Sequence, residues 1–100
     1  MTFFLVEMVN GPAWDPVRGR REQAGFAEHG EFLDALVDAG VVVLGGPVGE
    51  GEGDHALLVV RAADEAEVQA HLAPDPWLGS VLAIGSIRRW RLWLGSLPDA

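Results

Sequence analysis

The chain has 100 residues and a mass of 10.7 kDa, and 49% of its residues are hydrophobic. This length fits one domain with a buried core, and a charged fraction of only 22% argues against intrinsic disorder. The formal net charge of −8 disfavours nucleic acid and anionic membranes as partners, because both repel an acidic protein. The absence of cysteine excludes disulfide frameworks, thiolate zinc sites, iron–sulfur clusters and cysteine nucleophiles.

The hydropathy pattern indicates neither a membrane span nor a signal peptide. The longest uncharged runs are about half of the roughly twenty residues that a membrane-spanning helix needs. The N-terminus has no basic residues ahead of its apolar run and reaches Glu7 early, which is not typical of a signal peptide. We therefore predict a soluble cytoplasmic protein, too small for a large cofactor site.

The N-terminal segment 3–9 predicts a first strand. It is rich in Phe and Val, and both of its alternating faces are apolar apart from Glu7. Asn10, Gly11 and Pro12 end it, and the proline- and glycine-rich stretch 11–19 predicts a loop.

The next segments predict a helix, a strand and a turn. From about Arg20 to Ala39 the apolar residues recur every three to four positions, and Gly40 is a typical C-terminal stop. The apolar run 41–44 predicts a strand buried on both faces. The acidic, glycine-rich segment 49–54 predicts a flexible hairpin tip.

The second half repeats this pattern. Residues 55–61 predict the return strand, and 64–72 predict a helix with Asp64 as its N-cap and Glu67 completing a capping-box-like pattern. A proline-rich turn follows. The last strand is predicted over 81–94, with a kink at Gly85.

This order of elements predicts an α+β fold of the ferredoxin-like βαββαβ type, a four-stranded antiparallel sheet with two helices on one face. The first, second and fourth strands are apolar on both faces, yet the helices cover only one face of the sheet. The open face would then expose more apolar surface than the few hundred Å² that a soluble monomer usually tolerates. We therefore predict a homodimer joined through the open sheet face about a two-fold axis.

Two residues are candidates for acid–base chemistry. His29 lies on the apolar stripe of the first predicted helix, between Phe26 and Leu33, so it is either a core histidine bonded to a backbone carbonyl or half of an acid–base pair. Asp75 lies between two prolines that restrain its backbone, so it either starts a short turn or orients the histidine. Asp15, which also precedes a proline, is expected only to start the first helix.

A first arginine cluster could bind an anion. Arg18, Arg20 and Arg21 lie at the predicted start of the first helix, where cations oppose the helix dipole. Either a bound anion or pairing with neighbouring acids would explain them.

The remaining signals predict no metal, cofactor or nucleic acid. The arginines at 88, 89 and 91 alternate with Trp90 and Trp93 on the last predicted strand, and the net charge favours a dimer-facing tryptophan stripe over base stacking. His55 and His71 are isolated, without metal-ligand spacing. No nucleotide-binding, nucleophile-elbow or zinc-protease motif occurs.

An ordered set of residues runs through nearly the whole chain: Arg21, His29, Phe-Leu-Asp-Ala-Leu at 32–36, Gly40, Leu-Gly-Gly-Pro at 44–47, Asp75-Pro76-Trp77, and a late strand ending in Trp90. In this order the set resembles the YciI-like (YCII-related) family, and the insert at 11–16 resembles a subgroup with an extended first loop. The resemblance implies a dimeric α/β-barrel of ferredoxin-like protomers. It also implies a pocket in each protomer where His29 and Asp75 form a catalytic pair.

By analogy with related barrels, the resemblance favours a cofactor-free lyase or isomerase acting on a small, anionic organic acid, cyclic acids included. His29 would be the general base, and Asp75 would orient it. Two alternatives stay open, a module that binds a metabolite without turnover and a dimeric accessory protein with a vestigial site. The residues expected to hold the substrate or shape the pocket are Arg21, Trp14, Gly46, Pro47 and Trp77.

Overall fold

The strands and helices follow the order β1, α1, β2, β3, α2, β4 in a computed structural model that describes residues 2–51 and 55–95. The predicted ferredoxin-like α+β arrangement is thereby confirmed. The bounds are β1 Thr2–Asn10, a short 3-10 turn Arg20–Glu22, α1 Phe26–Asp38, β2 Val42–Pro47, β3 Ala56–Ala62, α2 Glu65–Leu72 and β4 Leu82–Arg89.

The sheet is antiparallel with the strand order β2-β3-β1-β4, so β1 and β3 are central. Side chains at alternate positions of β1, among them Val6, are buried against the helices, and Val60 on β3 lies beside them. The helix α2 adds Val68 and Leu72 to this core. The core therefore fills the space between one sheet face and the helices.

Within residues 2–51 and 55–95, no helix covers the opposite face of the sheet, which is largely apolar. The intervening residues of β1, such as Phe3 and Leu5, remain partly exposed there. The predicted burial of β2 on both faces is wrong for the single protomer, because the strand lies at a sheet edge and Leu44 is 44% exposed. An edge strand has only one neighbouring strand to cover its side chains.

The first helix begins at Phe26, not near Arg20 as predicted. Arg20 lies in the 3-10 turn, and Gly25 then adopts a left-handed conformation with a φ of 81°, which interrupts any helix. The arginines at 18, 20 and 21 therefore lie in a loop ahead of α1. The prediction that they oppose the dipole of this helix from its first turn is wrong. Asp15 starts a tight turn instead of the helix, since the Val17 N–H donates to its Oδ1 at 3.0 Å.

The buried Gln23 side chain organises this loop. Its Nε2 donates to the carbonyls of Asp15 at 2.8 Å and Arg18 at 3.0 Å, while its Oε1 accepts the Asp15 N–H at 2.9 Å. Gln23 is only 3% exposed, so these bonds satisfy a buried amide. The loop 11–25 therefore has a defined conformation, held by these hydrogen bonds.

The helix ends agree with the sequence. Gly40 has a φ of 77°, and the amides of Gly40 and Val41 donate to carbonyls of the last helical turn at 3.0 and 2.9 Å. At the start of α2 the Glu67 N–H donates to Asp64 Oδ1 at 2.9 Å, which confirms the predicted N-cap.

The last strand ends at Arg89, whereas the prediction extended it to Leu94. The Trp90 N–H still donates to the Phe3 carbonyl at 2.9 Å, but residues 90–95 lie outside the strand. The predicted tryptophan stripe is therefore wrong for Trp93, which lies beyond the strand. The predicted kink at Gly85 is confirmed, since the pairing shifts there and a Cβ would lie 2.8 Å from Val9 Cγ1. The predicted hairpin tip at 49–54 lies partly outside the described residues.

Candidate active site

His29 lies in the first turn of α1 with its side chain facing the sheet. Its N–H donates to the Gly25 carbonyl at 3.0 Å, which is the first hydrogen bond of the helix. The residue is 8% exposed. The glycine that ends the loop thus fixes which helical position, and so which side chain, reaches the core.

Asp75 lies in the tight turn that follows α2. Its N–H donates to the Leu72 carbonyl at 3.0 Å, and its Oδ1 accepts the Trp77 N–H at 2.9 Å. Pro76 restrains the backbone between these bonds. The carboxylate is 5% exposed, and its direction is set by its own turn.

The two side chains meet inside the protein. His29 Nδ1 lies 2.9 Å from Asp75 Oδ1 and 3.0 Å from Asp75 Oδ2. The histidine is therefore bonded to a carboxylate, not to a backbone carbonyl, and Asp75 both starts a turn and pairs with it. An ionised carboxylate accepts only, so Nδ1 carries the proton and a neutral ring keeps a lone pair on Nε2.

Trp77 packs against the His29–Asp75 pair. Its indole stacks on the His29 ring with centroids 4.1 Å apart, and its Nε1 donates to the Ala24 carbonyl at 2.7 Å. At 1% exposure it is among the most buried side chains of the protein. Although it was expected to shape the pocket, Trp77 contacts the face of the imidazole and does not line the cavity beside it.

A cavity of about 80 Å³ lies beside the pair. Its wall is apolar apart from His29, Asp75 and Arg20. In such surroundings, electrostatic interactions with a bound molecule are stronger than in water. The apolar lining residues are Met8, Leu33, Pro47, Ala56, Leu58, Leu72 and Leu82.

A wider cavity of about 400 Å³ adjoins the first, since Arg20 and Pro47 line both. We call these two residues the neck, and the two cavities the inner and outer cavity. The wall of the outer cavity contains arginine and glutamate side chains as well as the apolar Phe26 and Pro47. Besides the neck residues, its lining residues are Arg21, Glu22, Phe26, Gly49, Glu50 and Gly51.

The predicted substrate-binding residues fall into three groups. Pro47 lines both cavities, and Arg21 lines the outer one only. Trp14 lines neither, but its ring lies 5.3 Å from the Arg20 guanidinium. Gly46 pairs with Leu57 in the sheet, and no atom lies within 4 Å of the place where its Cβ would be.

Sequence reasoning missed two residues near the cavities. Arg20, in the neck, looks like Arg18 and Arg21 in the sequence, and only the fold distinguishes them. Gly45 directs its missing side chain toward Leu58, where a Cβ would lie 2.5 Å from Cδ2. Its position next to Gly46 was the only available signal.

The other histidines form isolated pairs. His55 Nδ1 lies 3.2 Å from Glu7 Oε2, and His71 Nε2 lies 3.5 Å from Glu67 Oε1. Within residues 2–51 and 55–95, no three potential ligands are grouped so that they could hold a metal ion. In the same ranges, neither helix has the length and apolar character needed to cross a membrane.

Comparisons with known proteins support the fold. A family model described as YCII-related domain matches residues 2–91. A comparison with curated protein sequences gave no match. Among solved structures, the fold is similar to that of 5-chloro-2-hydroxyhydroquinone dehydrochlorinase (TftG) from Burkholderia phenoliruptrix AC1100, in its complex with 2,5-dihydroxybenzoquinone. The TM-score is 0.61 at 21% identity, covering 93% of this chain and 95% of that one.

Proposed function

The chain belongs to the YCII-related domain family, and from its His29–Asp75 pair we propose that it is a cofactor-free lyase or isomerase acting on a small organic acid. The observation that carries the proposal is the bond from His29 Nδ1 to both oxygens of Asp75 beside the inner cavity. It leaves Nε2 as the basic atom of the ring.

In the proposed reaction, Nε2 removes a proton from the substrate. In an elimination, the electron pair of the broken bond forms a double bond, and the leaving group departs with its own pair. In an isomerisation, the imidazolium returns the proton to another carbon. Asp75 holds the ring in the required tautomer and offsets the charge of the imidazolium, as acidic partners of catalytic histidines do.

The similar structure supports elimination as the first reaction to test. That enzyme is named for the removal of HCl from a chlorinated hydroxyhydroquinone. In the equivalent step here, His29 would take the proton and chloride would leave with the carbon–chlorine electron pair. Hydroxylated and halogenated ring compounds are therefore the substrate class that we favour.

We also propose that the active form is a homodimer joined through the open sheet face. The support is physical: Phe3, Leu5 and Leu44 leave apolar surface there, and neither helix of the described residues covers it. The cytoplasmic location and the lack of a nucleic-acid partner stay predictions, which depend on composition alone.

The experiment tests turnover and binding separately. The wild-type protein is incubated with 5-chloro-2-hydroxyhydroquinone and with halogenated hydroxybenzoic acids, and chloride release is followed. Binding of 2,5-dihydroxybenzoquinone is measured by calorimetry. We expect His29→Gln to abolish turnover while leaving binding largely intact, because Gln preserves polarity but is no base. The control is His71→Gln, since His71 lies on α2 and lines neither cavity.

Two results would contradict the enzyme hypothesis. Turnover that survives His29→Gln would show that the ring is not the base. Binding by the wild-type protein without turnover of any compound in the panel would instead favour the metabolite-binding module.

A further inference from the structure

Arg20 differs from the other arginines in its position. It is partly buried, and it is the one cationic side chain among the described residues that line the inner cavity with His29. The remaining wall is apolar apart from Asp75, which is paired with His29, so the inner cavity presents one base and one permanent positive charge to a substrate.

The loop 11–25 holds Arg20 at this point. The Gln23 N–H donates to the Arg20 carbonyl at 3.3 Å, and the Gln23 side chain ties the same turn to Asp15 and Arg18. The guanidinium lies over the Trp14 ring, 5.3 Å from its centroid. A cation over the face of an indole is attracted to the ring, and this attraction helps to hold the guanidinium in place.

Proton removal from carbon creates a need for such a group. When a base takes a proton from the carbon next to a C=O group, the C–H electron pair forms a carbon–carbon double bond. The carbonyl pair moves to oxygen and gives an enolate. A cationic donor placed at that oxygen in a dry site lowers the barrier. In an elimination the oxygen pair then re-forms C=O, the carbon–carbon pair of the enolate forms a double bond to the next carbon, and the leaving group departs from that carbon with its electrons.

We infer that Arg20 binds the substrate oxyanion and stabilises the enolate formed when His29 removes a proton. The substrate is thereby an enolisable compound whose oxygen reaches the neck while its reacting carbon lies beside His29 in the inner cavity. The catalytic part of this inference rests on the proposed function, whereas the oxyanion site does not. Arg21 and Trp14 then do not contact the oxyanion. Arg21 lines only the outer cavity, and Trp14 positions the Arg20 guanidinium.

The binding test uses 2,5-dihydroxybenzoquinone, whose ionised hydroxyls spread charge over the ring oxygens as an enolate does. The matched neutral probe is 2,5-dimethoxybenzoquinone. Because the sequence contains neither cysteine nor lysine, these quinones meet no side-chain thiol or lysine amine. Calorimetry is carried out on Arg20→Met, Arg20→Lys and Arg21→Met, each also in the His29→Gln background.

We expect Arg20→Met to weaken binding of the charged probe about 10- to 100-fold, as expected for loss of a charge-assisted bond, and to leave the neutral probe unaffected. Arg20→Lys should retain part of the affinity, and Arg21→Met should change it less than about threefold. With a turned-over substrate, Arg20→Met should lower kcat by about 10²–10³, and added guanidinium should restore part of that loss.

Three results would overturn the inference: an unchanged affinity for the charged probe in Arg20→Met, an equal loss for both probes, or an equal loss in Arg21→Met. If turnover instead survives His29→Gln while Arg20→Met still discriminates between the probes, the proposed base is wrong and the oxyanion site stands.

Discussion

The indole of Trp77 lies against the imidazole of His29, with ring centroids 4.1 Å apart and an interplanar angle of 13°. The same tryptophan donates its N–H to Asp75 Oδ1 and its Nε1–H to the Ala24 carbonyl. One residue thus contacts both members of the pair and the segment ahead of α1.

Replacing this indole should therefore cost stability. Trp77→Phe keeps an aromatic face toward His29 but leaves a small void and removes the donor to Ala24. We expect the free energy of unfolding to fall by about 2 kcal/mol, measured by urea denaturation. Trp93→Phe is the control, because Trp93 lies beyond β4 with 83% of its surface exposed and should lose little. Equal losses in the two variants would contradict the role assigned to Trp77.

Asp75→Asn should change the tautomer of His29. The amide oxygen can still accept the Trp77 N–H, but its NH₂ group then faces Nδ1 and donates to it, so the ring proton moves to Nε2. Two-bond ¹H–¹⁵N spectra should report this exchange, and turnover should fall by about 10⁴. Asp15→Asn is a matched control, since Asp15 forms the same type of turn without a histidine. A His29 spectrum that ignores Asp75→Asn would contradict the pairing.

The adjacent glycines of β2 should respond differently to alanine. At Gly45 a Cβ would lie 2.5 Å from Leu58 Cδ2 and 2.9 Å from the Leu57 carbonyl oxygen. At Gly46 it would meet nothing within 4 Å. We expect Gly45→Ala to destabilise the protein by about 1–3 kcal/mol and Gly46→Ala to change stability by less than about 0.5 kcal/mol. Thermal unfolding of both variants tests this, and the reverse order would be inconsistent with the packing.

The proposed dimer should respond to charge on the open sheet face. Leu44 is 44% exposed there, so Leu44→Glu should leave the protomer folded while burying a carboxylate in the interface. Light scattering at micromolar concentration should give twice the 10.7 kDa protomer mass for the wild type and a lower mass for the variant. Ala70→Glu, at an exposed position of α2, is the control. A wild-type protein with the mass of one protomer would rule out the dimer.

The sequence could indicate His29 because helical periodicity is a local signal. Its position on the apolar stripe between Phe26 and Leu33 predicts that the imidazole faces the sheet, and the structure agrees. Asp75 was harder, because Asp15 has the same local pattern and forms the same local turn. Only the packing of α1 against the turn after α2 distinguishes the two aspartates, and no short-range pattern contains that information.

The errors share one physical cause. Residues 20–25 have helix-compatible spacing, but the Gln23 side chain bonds back to Asp15 and Arg18 in the preceding loop, and Gly25 adopts a left-handed conformation. The misjudged burial of β2 depended on its place at the sheet edge. In each case contacts outside the segment decided what its own residue pattern left open.

His29 and Asp75 are separated by 46 positions and belong to different strand–helix–strand halves of the chain. Neither half alone contains a working pair, so a folding intermediate with one half ordered would lack the site altogether. During refolding, any property that depends on the pair should return together with the burial of Trp77, since the same contact joins the halves. The His29–Asp75 pair is therefore present only in molecules whose two halves have packed together, and its formation reports that packing.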